Sequence, residues 1–240
     1  MIVATVAGVR GATLATLRTI DPVLWMLTVA STIGTNLLDF WALPPPGNRP
    51  GPAFVVAAAV RVGLVCWISY ALLRRIAGTP AALRITRALW PYSALLLALL
   101  VAFALFHRLA LAGVTPATPL QRQWLALFLL TAGWSALTIP LLAWQAHLAN
   151  GGAIGALGAL LEGSAARTIP LFLAFAAIVL PLAGVHLALT LLGIRLPFPP
   201  VTLAALAVVD GSVQALQLAF GCGLCVVAWR LALREPPRSR

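Results

Sequence analysis

The stretch VTLAALAVVDGSVQALQLAFGCGLCVVAWRLALR, residues 201–234, decides the fold. From 201 to 229 it holds a single charge, Asp210, and Arg230 and Arg234 follow. A helix needs about 20 apolar residues, at about 1.5 Å each, to cross a hydrocarbon core of roughly 30 Å. Residues 201–229 exceed that length. Four further runs reach it or come close: 53–73, 88–106, 124–146 and 168–192. The chain therefore reads as an all-α, polytopic transmembrane helical bundle.

Composition points the same way. Of 240 residues, 62% are apolar and 9% are charged, against about 25% charged in an ordinary soluble domain. A soluble fold has nowhere to hide this much apolar surface, so the lipid bilayer is the expected partner for most of it. The formal net charge is +11, yet the basic residues sit at the ends of the apolar runs. Membrane topology demands that placement, and it gives no reason to expect a nucleic acid partner. All 16 basic residues are arginine. A composition led by Ala, Leu, Gly, Pro and Arg suits a GC-rich, bacterial genome.

The proline and glycine punctuation divides the chain. Residues 1–9 lack a positive region, and Arg10 and Arg18 come too late for a secretory signal, so this segment is expected to be retained. Residues 1–20 read as an interfacial helix. Asp21 and Pro22 suit an N-cap and first helical position. Six spans follow, at about 22–43, 53–73, 89–109, 124–146, 168–192 and 201–229. Pro44–46 and Pro50 break the chain after the first span, and Gly78-Thr79-Pro80 after the second. Pro116 and Pro119 mark the loop before the fourth, which carries a kink at Pro140. Asn150-Gly151-Gly152 is a turn into a short interfacial helix at 154–167. Pro181 lies inside span five, and Pro197, Pro199 and Pro200 precede span six. Residues 234–240 form a short tail, and the whole of 1–240 is one membrane domain.

Six spans put both termini on one side. That side collects Arg10, Arg18, Arg74, Arg75, Arg84, Arg87, Arg167, Arg230, Arg234, Arg238 and Arg240, eleven in all, against four on the other: Arg49, Arg108, Arg122 and Arg195. The positive-inside rule then places both termini in the cytoplasm and the protein in the cell inner membrane.

Polar residues at membrane depth are costly and mark functional hypotheses. Arg61 lies about eight residues into span two, His186 at a similar depth in span five, and Asp210 about ten residues into span six. These three sit roughly 10–15 Å below the outer boundary, with Asp39 shallower. Arg61 is expected to pair with Asp210 or Asp39. Such a pair either fixes helix order, or handles a substrate or proton, or is replaced by Arg61 snorkelling to the interface. Asp210, Gln214 and Gln217 fall on one face of span six. That face must look into the bundle, either for interhelical hydrogen bonding or to line a cavity. His186 alone reads as a hydrogen-bonded packing residue, and His107 and His147 lie on opposite sides of the membrane.

Several motifs dissolve on inspection. Cys222-Gly-Leu-Cys225 sits in an apolar helix beside Gly221 and Gly223, and Ala219-x-x-x-Gly223 has the spacing of close helix packing. With Cys66, three cysteines inside apolar runs make no disulfide framework. The glycines at 151, 152, 155 and 158 lack the lysine and hydroxyl ending of a phosphate loop. Ser135, Ser164 and Ser212 have no histidine or acid nearby in sequence and no nucleophile elbow. No catalytic, metal or cofactor-binding residue is assigned.

Three segments carry a family likeness. They are the basic stretch Ala82-Leu83-Arg84-Ile85-Thr86-Arg87-Ala88-Leu89, the amphipathic residues 155–169, and the ending Trp229-Arg230-Leu231-Ala232-Leu233-Arg234. With the six-span layout, the chain resembles a bacterial inner-membrane family related to the membrane domain of some glycerophosphoryl diester phosphodiesterases. The likeness covers most of the chain as a pattern of spans. It implies a membrane domain without the soluble phosphodiesterase part and its metal chemistry. The serine-rich stretch the family would bring before span five is reduced to Ser164.

The expected function is that of an integral inner-membrane protein without catalytic activity, a membrane-embedded accessory or envelope-maintenance protein. A membrane-protein partner or a second copy of the chain fits that role. The rival is a small-solute or proton-coupled transporter using Asp210, Arg61 and His186. A third reading is an intramembrane enzyme acting on lipids.

Overall fold

The computed structural model describes residues 5–42, 51–110, 118–196 and 198–233. Helices make up 88% of it, and no strand occurs among the described residues. The chain order is α1 (Val6–Thr16), α2 (Pro22–Ala42), α3 (Pro52–Ala77), α4 (Leu89–Ala110), α5 (Leu120–Thr138), α6 (Leu142–Ala149), α7 (Leu157–Ala165), α8 (Thr168–Arg195) and α9 (Pro200–Leu233). The prolines at 44–46, the loop at 111–117 and the tail at 234–240 lie outside the described residues.

Five helical stretches are long and apolar enough to cross a membrane: Pro52–Ala77, Leu89–Leu109, Leu120–Ala149, Thr168–Ile194 and Pro200–Leu233. Large apolar side chains stand exposed along them, such as Leu105, Leu129, Val185 and Val208. This is the surface a multi-pass protein offers to lipid. Among the described residues the count is five, where six spans are expected. The difference is α2, which is 21 residues long but carries Thr28, Ser31, Thr32, Thr35, Asn36 and Asp39.

Local chemistry sets the boundaries. The Asp21 carboxylate accepts from the Leu24 amide at 2.8 Å, capping α2. Gly78, with φ of +91°, ends α3; its amide donates to Arg75 O and that of Thr79 to Arg74 O, a glycine-dependent cap. At Pro140 the fourth apolar run tightens into a 3₁₀ turn, Ile139–Leu141, between α5 and α6. Pro181 lies inside α8 and does not end it.

Two helices outrun the expected spans at the arginine-rich end. α3 extends to Ala77 and α9 to Leu233. Arginines explain both, because their guanidinium groups satisfy carbonyls at helix ends. Arg74 ties α3 to the loop that follows it, donating to Arg84 O at 2.7 Å and to the Tyr70 hydroxyl at 3.0 Å. Arg230 donates to Ile76 O at 2.9 Å, and Arg167 to Leu231 O at 2.8 Å. Arg75 donates to Thr19 O at 3.1 Å and pairs with Asp21. These bonds sew together one end of the bundle, which is also its arginine-rich end.

The 34-residue α9 is the hub. More than half of its apolar window is buried (56%), against 6% for α4 at the periphery. It packs against α1, α2, α3, α6, α7 and α8. The sequence reason is a stripe of small residues at intervals of four: Ala207, Gly211, Ala215, Ala219 and Gly223, all buried. Spacing of four winds the stripe slowly around the helix, and small residues let backbones approach wherever it meets a neighbour. A Cβ on Gly211 would lie 2.6 Å from Ile33 Cα of α2. A Cβ on Gly223 would strike the Thr16 hydroxyl and come within 3.4 Å of Thr13, both on α1. Thus α1, with Val9, Thr13 and Thr16 buried, packs on α8 and α9.

Gly211 and Gly221 give opposite forecasts. A Cβ at Gly221 meets nothing within 4 Å, so Gly221→Ala should hold or raise stability by up to about 1 kcal/mol through helix propensity. Gly211→Ala should lower it by about 1–3 kcal/mol, because α2 must shift. Thermal unfolding in mild detergent compares the two. Equal midpoints would mean that α2 does not meet α9 at Gly211.

Candidate functional site

The polar groups of three helices converge at mid-bundle. Asp210 lies ten residues into α9, roughly 15 Å along it, and its side chain is buried. Its Oδ1 is 2.7 Å from His186 Nδ1 on α8. Its Oδ2 accepts from Asn36 Nδ2 on α2 at 2.9 Å and from Gln214 Nε2 at 3.2 Å. Gln214 Nε2 also donates to Asn36 Oδ1 at 3.0 Å and lies 3.2 Å from His186 Nδ1. Thr190 Oγ1, one turn beyond His186, is 3.5 Å from the same nitrogen.

The short contact holds one proton between His186 Nδ1 and the Asp210 carboxylate, and Nε2 of His186 lies outside it. Two amide donors and one imidazole nitrogen face the Asp210 carboxylate. Such a centre orders three helices.

Arg61 takes the other of its two expected partners. It donates to Asp39 and forms a salt bridge with it, both side chains about a third exposed. Asp39 lies one turn past Asn36 on α2. The ion pair is therefore a second polar layer next to the Asp210 cluster. The expected single layer of Asp39, Arg61, His186 and Asp210 resolves into two: Arg61 with Asp39, and His186 with Asp210. Gln214 belongs to the second. The Gln217 side chain makes no hydrogen bond to any described residue.

Gln217 instead lines a cavity of about 430 Å³. Its walls come mainly from α3, α4, α8 and α9, with α6 at its foot. Arg61, His186 and Gln214 share its polar end with Gln217, while Tyr92, Gln145 and the two thiols of Cys222 and Cys225 lie toward the other. There Tyr92 donates to Ser69 Oγ at 2.7 Å.

Asn36 is the member that sequence reading missed. Its signal is the spacing of Thr28, Thr32, Thr35 and Asn36, which share a face and are all buried. The three threonine hydroxyls donate to carbonyls of their own helix, and only Asn36 reaches across.

The rejected motifs stay apart from this centre. Ser135, Ser164 and Ser212 donate to backbone carbonyls of their own helices. Cys222 and Cys225 are free thiols, and no group of three metal-binding side chains occurs among the described residues. His147 stands edge-on to Trp229, and His107 lies against Phe103.

Asp210→Leu should remove the common acceptor and strand Asn36, His186 and Gln214 in apolar surroundings, a loss of at least about 2 kcal/mol. Asp210→Asn keeps size and one acceptor and should lose about half as much. Unfolding in detergent measures both. Wild-type stability in the Leu variant would remove the cluster from any structural role.

No family model, curated protein or solved structure matches the chain, so the geometry of its own residues carries the functional reading.

Proposed function

We propose that this chain is a six-span inner-membrane protein that acts without catalysis, as a membrane-embedded accessory protein holding a hydrophobic ligand. In this reading α2 is the sixth span, α1 and α7 lie along the membrane surface, and both termini face the cytoplasm. The observation that carries it is the cavity of about 430 Å³ with the amide of Gln217 open to it. That volume falls in the range of about 300–1,000 Å³ used by small-molecule sites. An amide in an apolar bundle gains by meeting a polar ligand group or water.

The topology is supported by the gathering of Arg74, Arg75, Arg167 and Arg230 at one end of the bundle. The absence of catalysis is supported by the serine hydroxyls, which are engaged with backbone. The likeness to the phosphodiesterase membrane domains rests on the layout of spans and contributes an envelope role.

A transporter is the second reading. It is favoured by the 3₁₀ break at Pro140 and by His186 and Gln214 standing at the cavity wall. It requires solute- or pH-dependent behaviour that Asp210→Asn abolishes.

Two measurements test the proposal. A reporter fused after Arg240 should report a cytoplasmic C-terminus; an external one would overturn the topology. Mild-detergent purification from native membranes, followed by mass spectrometry, should find a bound small molecule that Gly221→Leu removes. Gly221 lines the cavity with open space at its Cβ, so the leucine fills the cavity. A bound molecule indifferent to that leucine would overturn the binding site.

A further inference from the structure

We propose that the loop between α3 and α4 is a docking site for the phosphate head of an anionic membrane lipid. Arg84 and Arg87 take the phosphate, and Ile85 and Trp90 lie against the acyl region. The inference is independent of the cavity. It rests on the loop standing where α3 and α4 leave the bilayer.

Unspent charge is the first argument. The arginines around this loop are of two kinds. Arg74, Arg75 and Arg230 are committed to protein groups: Arg84 O and the Tyr70 hydroxyl, Thr19 O and Asp21, and Ile76 O. The Arg84 and Arg87 side chains are exposed and make no hydrogen bond or salt bridge to any described residue. Asp21, the acid at the foot of α2, is already held by Arg75. Two guanidinium groups three residues apart are thus left without an anion. Each presents a planar fork of donors that matches phosphate oxygens.

A fixed backbone is the second. Arg84 O accepts from Arg74 at 2.7 Å, and the Thr86 hydroxyl is 2.6 Å from that of Tyr70. Arg84 N donates to Ala81 O at 2.9 Å, and Ala82 is buried. Ala81 holds a left-handed φ of +52°, which alanine keeps only when its surroundings impose it. A loop already formed loses little order when it binds.

The neighbouring side chains identify the source of the phosphate. Ile85 is 63% exposed and Trp90 is 74% exposed, with Leu83 exposed beside them. Trp90 lies in the first turn of α4, at the end of the apolar stretch Leu89–Leu109. Water disfavours such surfaces, and the bilayer interface accepts them, tryptophan above all. A phosphate that arrives with acyl chains attached covers them; a soluble phosphate leaves them bare. A lipid of net negative charge complements the two arginines, whereas a phosphocholine head brings its own cation.

The test uses the full chain in a non-ionic detergent, with bound lipid counted by native mass spectrometry. The probes are dioleoyl phosphatidylglycerol, dioleoyl phosphatidylcholine and water-soluble glycerol phosphate. Phosphatidylglycerol should bind at least about fivefold tighter than phosphatidylcholine, the worth of one surface arginine. Arg84→Gln and Arg87→Gln should each weaken it about fivefold, and together by about tenfold or more. The unfolding midpoint should stay near wild type, because neither side chain holds another part of the protein. Trp90→Ser should weaken phosphatidylglycerol and leave glycerol phosphate unchanged. The control is Arg108→Gln with Arg122→Gln, the same charge change in exposed arginines at the other end of α4 and on α5. It should shift the affinity by less than about twofold.

Equal losses in the two double variants would reduce the effect to general surface charge and overturn the site. Glycerol phosphate binding as tightly as phosphatidylglycerol would overturn the lipid assignment in favour of a soluble phosphate. Phosphatidylcholine binding as tightly would overturn the recognition of charge. If the Arg84 and Arg87 double variant does not fold, Arg87→Gln alone carries the same comparison.

Discussion

A carboxylate placed midway along an apolar helix has to find its hydrogen-bond donors within the protein, because lipid supplies none. Asp210 finds them on α2, α8 and its own next turn. That requirement fixes which helices may neighbour α9 and at what height. Interhelical hydrogen bonds in membranes average only about 0.6 kcal/mol each, so the cluster is not a large store of stability. Its force lies in the asymmetry of failure. A slipped helix would leave the carboxylate and several amides unpaired, at about 1–3 kcal/mol for each neutral group and more for the charge. The small-residue stripe from Ala207 to Gly223 works with it. Small residues bring α1 and α2 close, and the polar cluster sets their register.

The same constraint shapes the cavity. Drawing α2 and α8 onto α9 at Asp210 uses one stretch of the α9 face that carries Asp210. Farther along the same face, Gln217 and Gly221 are left to look toward α3 and α4. α4 is the least buried of the five apolar helices and closes that side only in part. Its firm attachments, Tyr92 to Ser69 and Tyr70, lie at the arginine-rich end. An apolar channel bordered by polar groups is what remains between them. Its position beside the cluster makes His186 and Gln214 shared members: each holds Asp210 and also faces the space where a ligand would lie.

Much of this was legible in the sequence, for reasons that can be named. Long apolar runs have one solution in lipid, and prolines and glycines mark where it stops. The Asp21 cap and the Pro140 break follow from side-chain and ring chemistry that acts locally. The depth of His186, Asp210 and Gln214 follows from counting residues along a regular helix. Pair identity was less accessible. Arg61 could reach either of two carboxylates, and only the rotation of α3 against α2 selects Asp39. Asn36 was hidden among threonines whose hydroxyls satisfy themselves on their own helix. The extra turns of α3 and α9 depend on arginines from other segments reaching their carbonyls, a long-range effect that no local pattern encodes. The cavity is likewise a property of how far α4 stands off, which composition does not record.

The most direct measurement is a double-mutant cycle between α2 and α9, using Asn36→Leu, Asp210→Leu and the double variant, with unfolding followed in detergent or bicelles. If the Asp210 cluster sets the register, each single change strands the other residue, and the double variant loses less than the sum of the two. The coupling should exceed about 0.5 kcal/mol, the usual limit of additivity for independent sites. Strict additivity would contradict the cluster as the organising interaction and leave the small-residue stripe to hold the bundle alone.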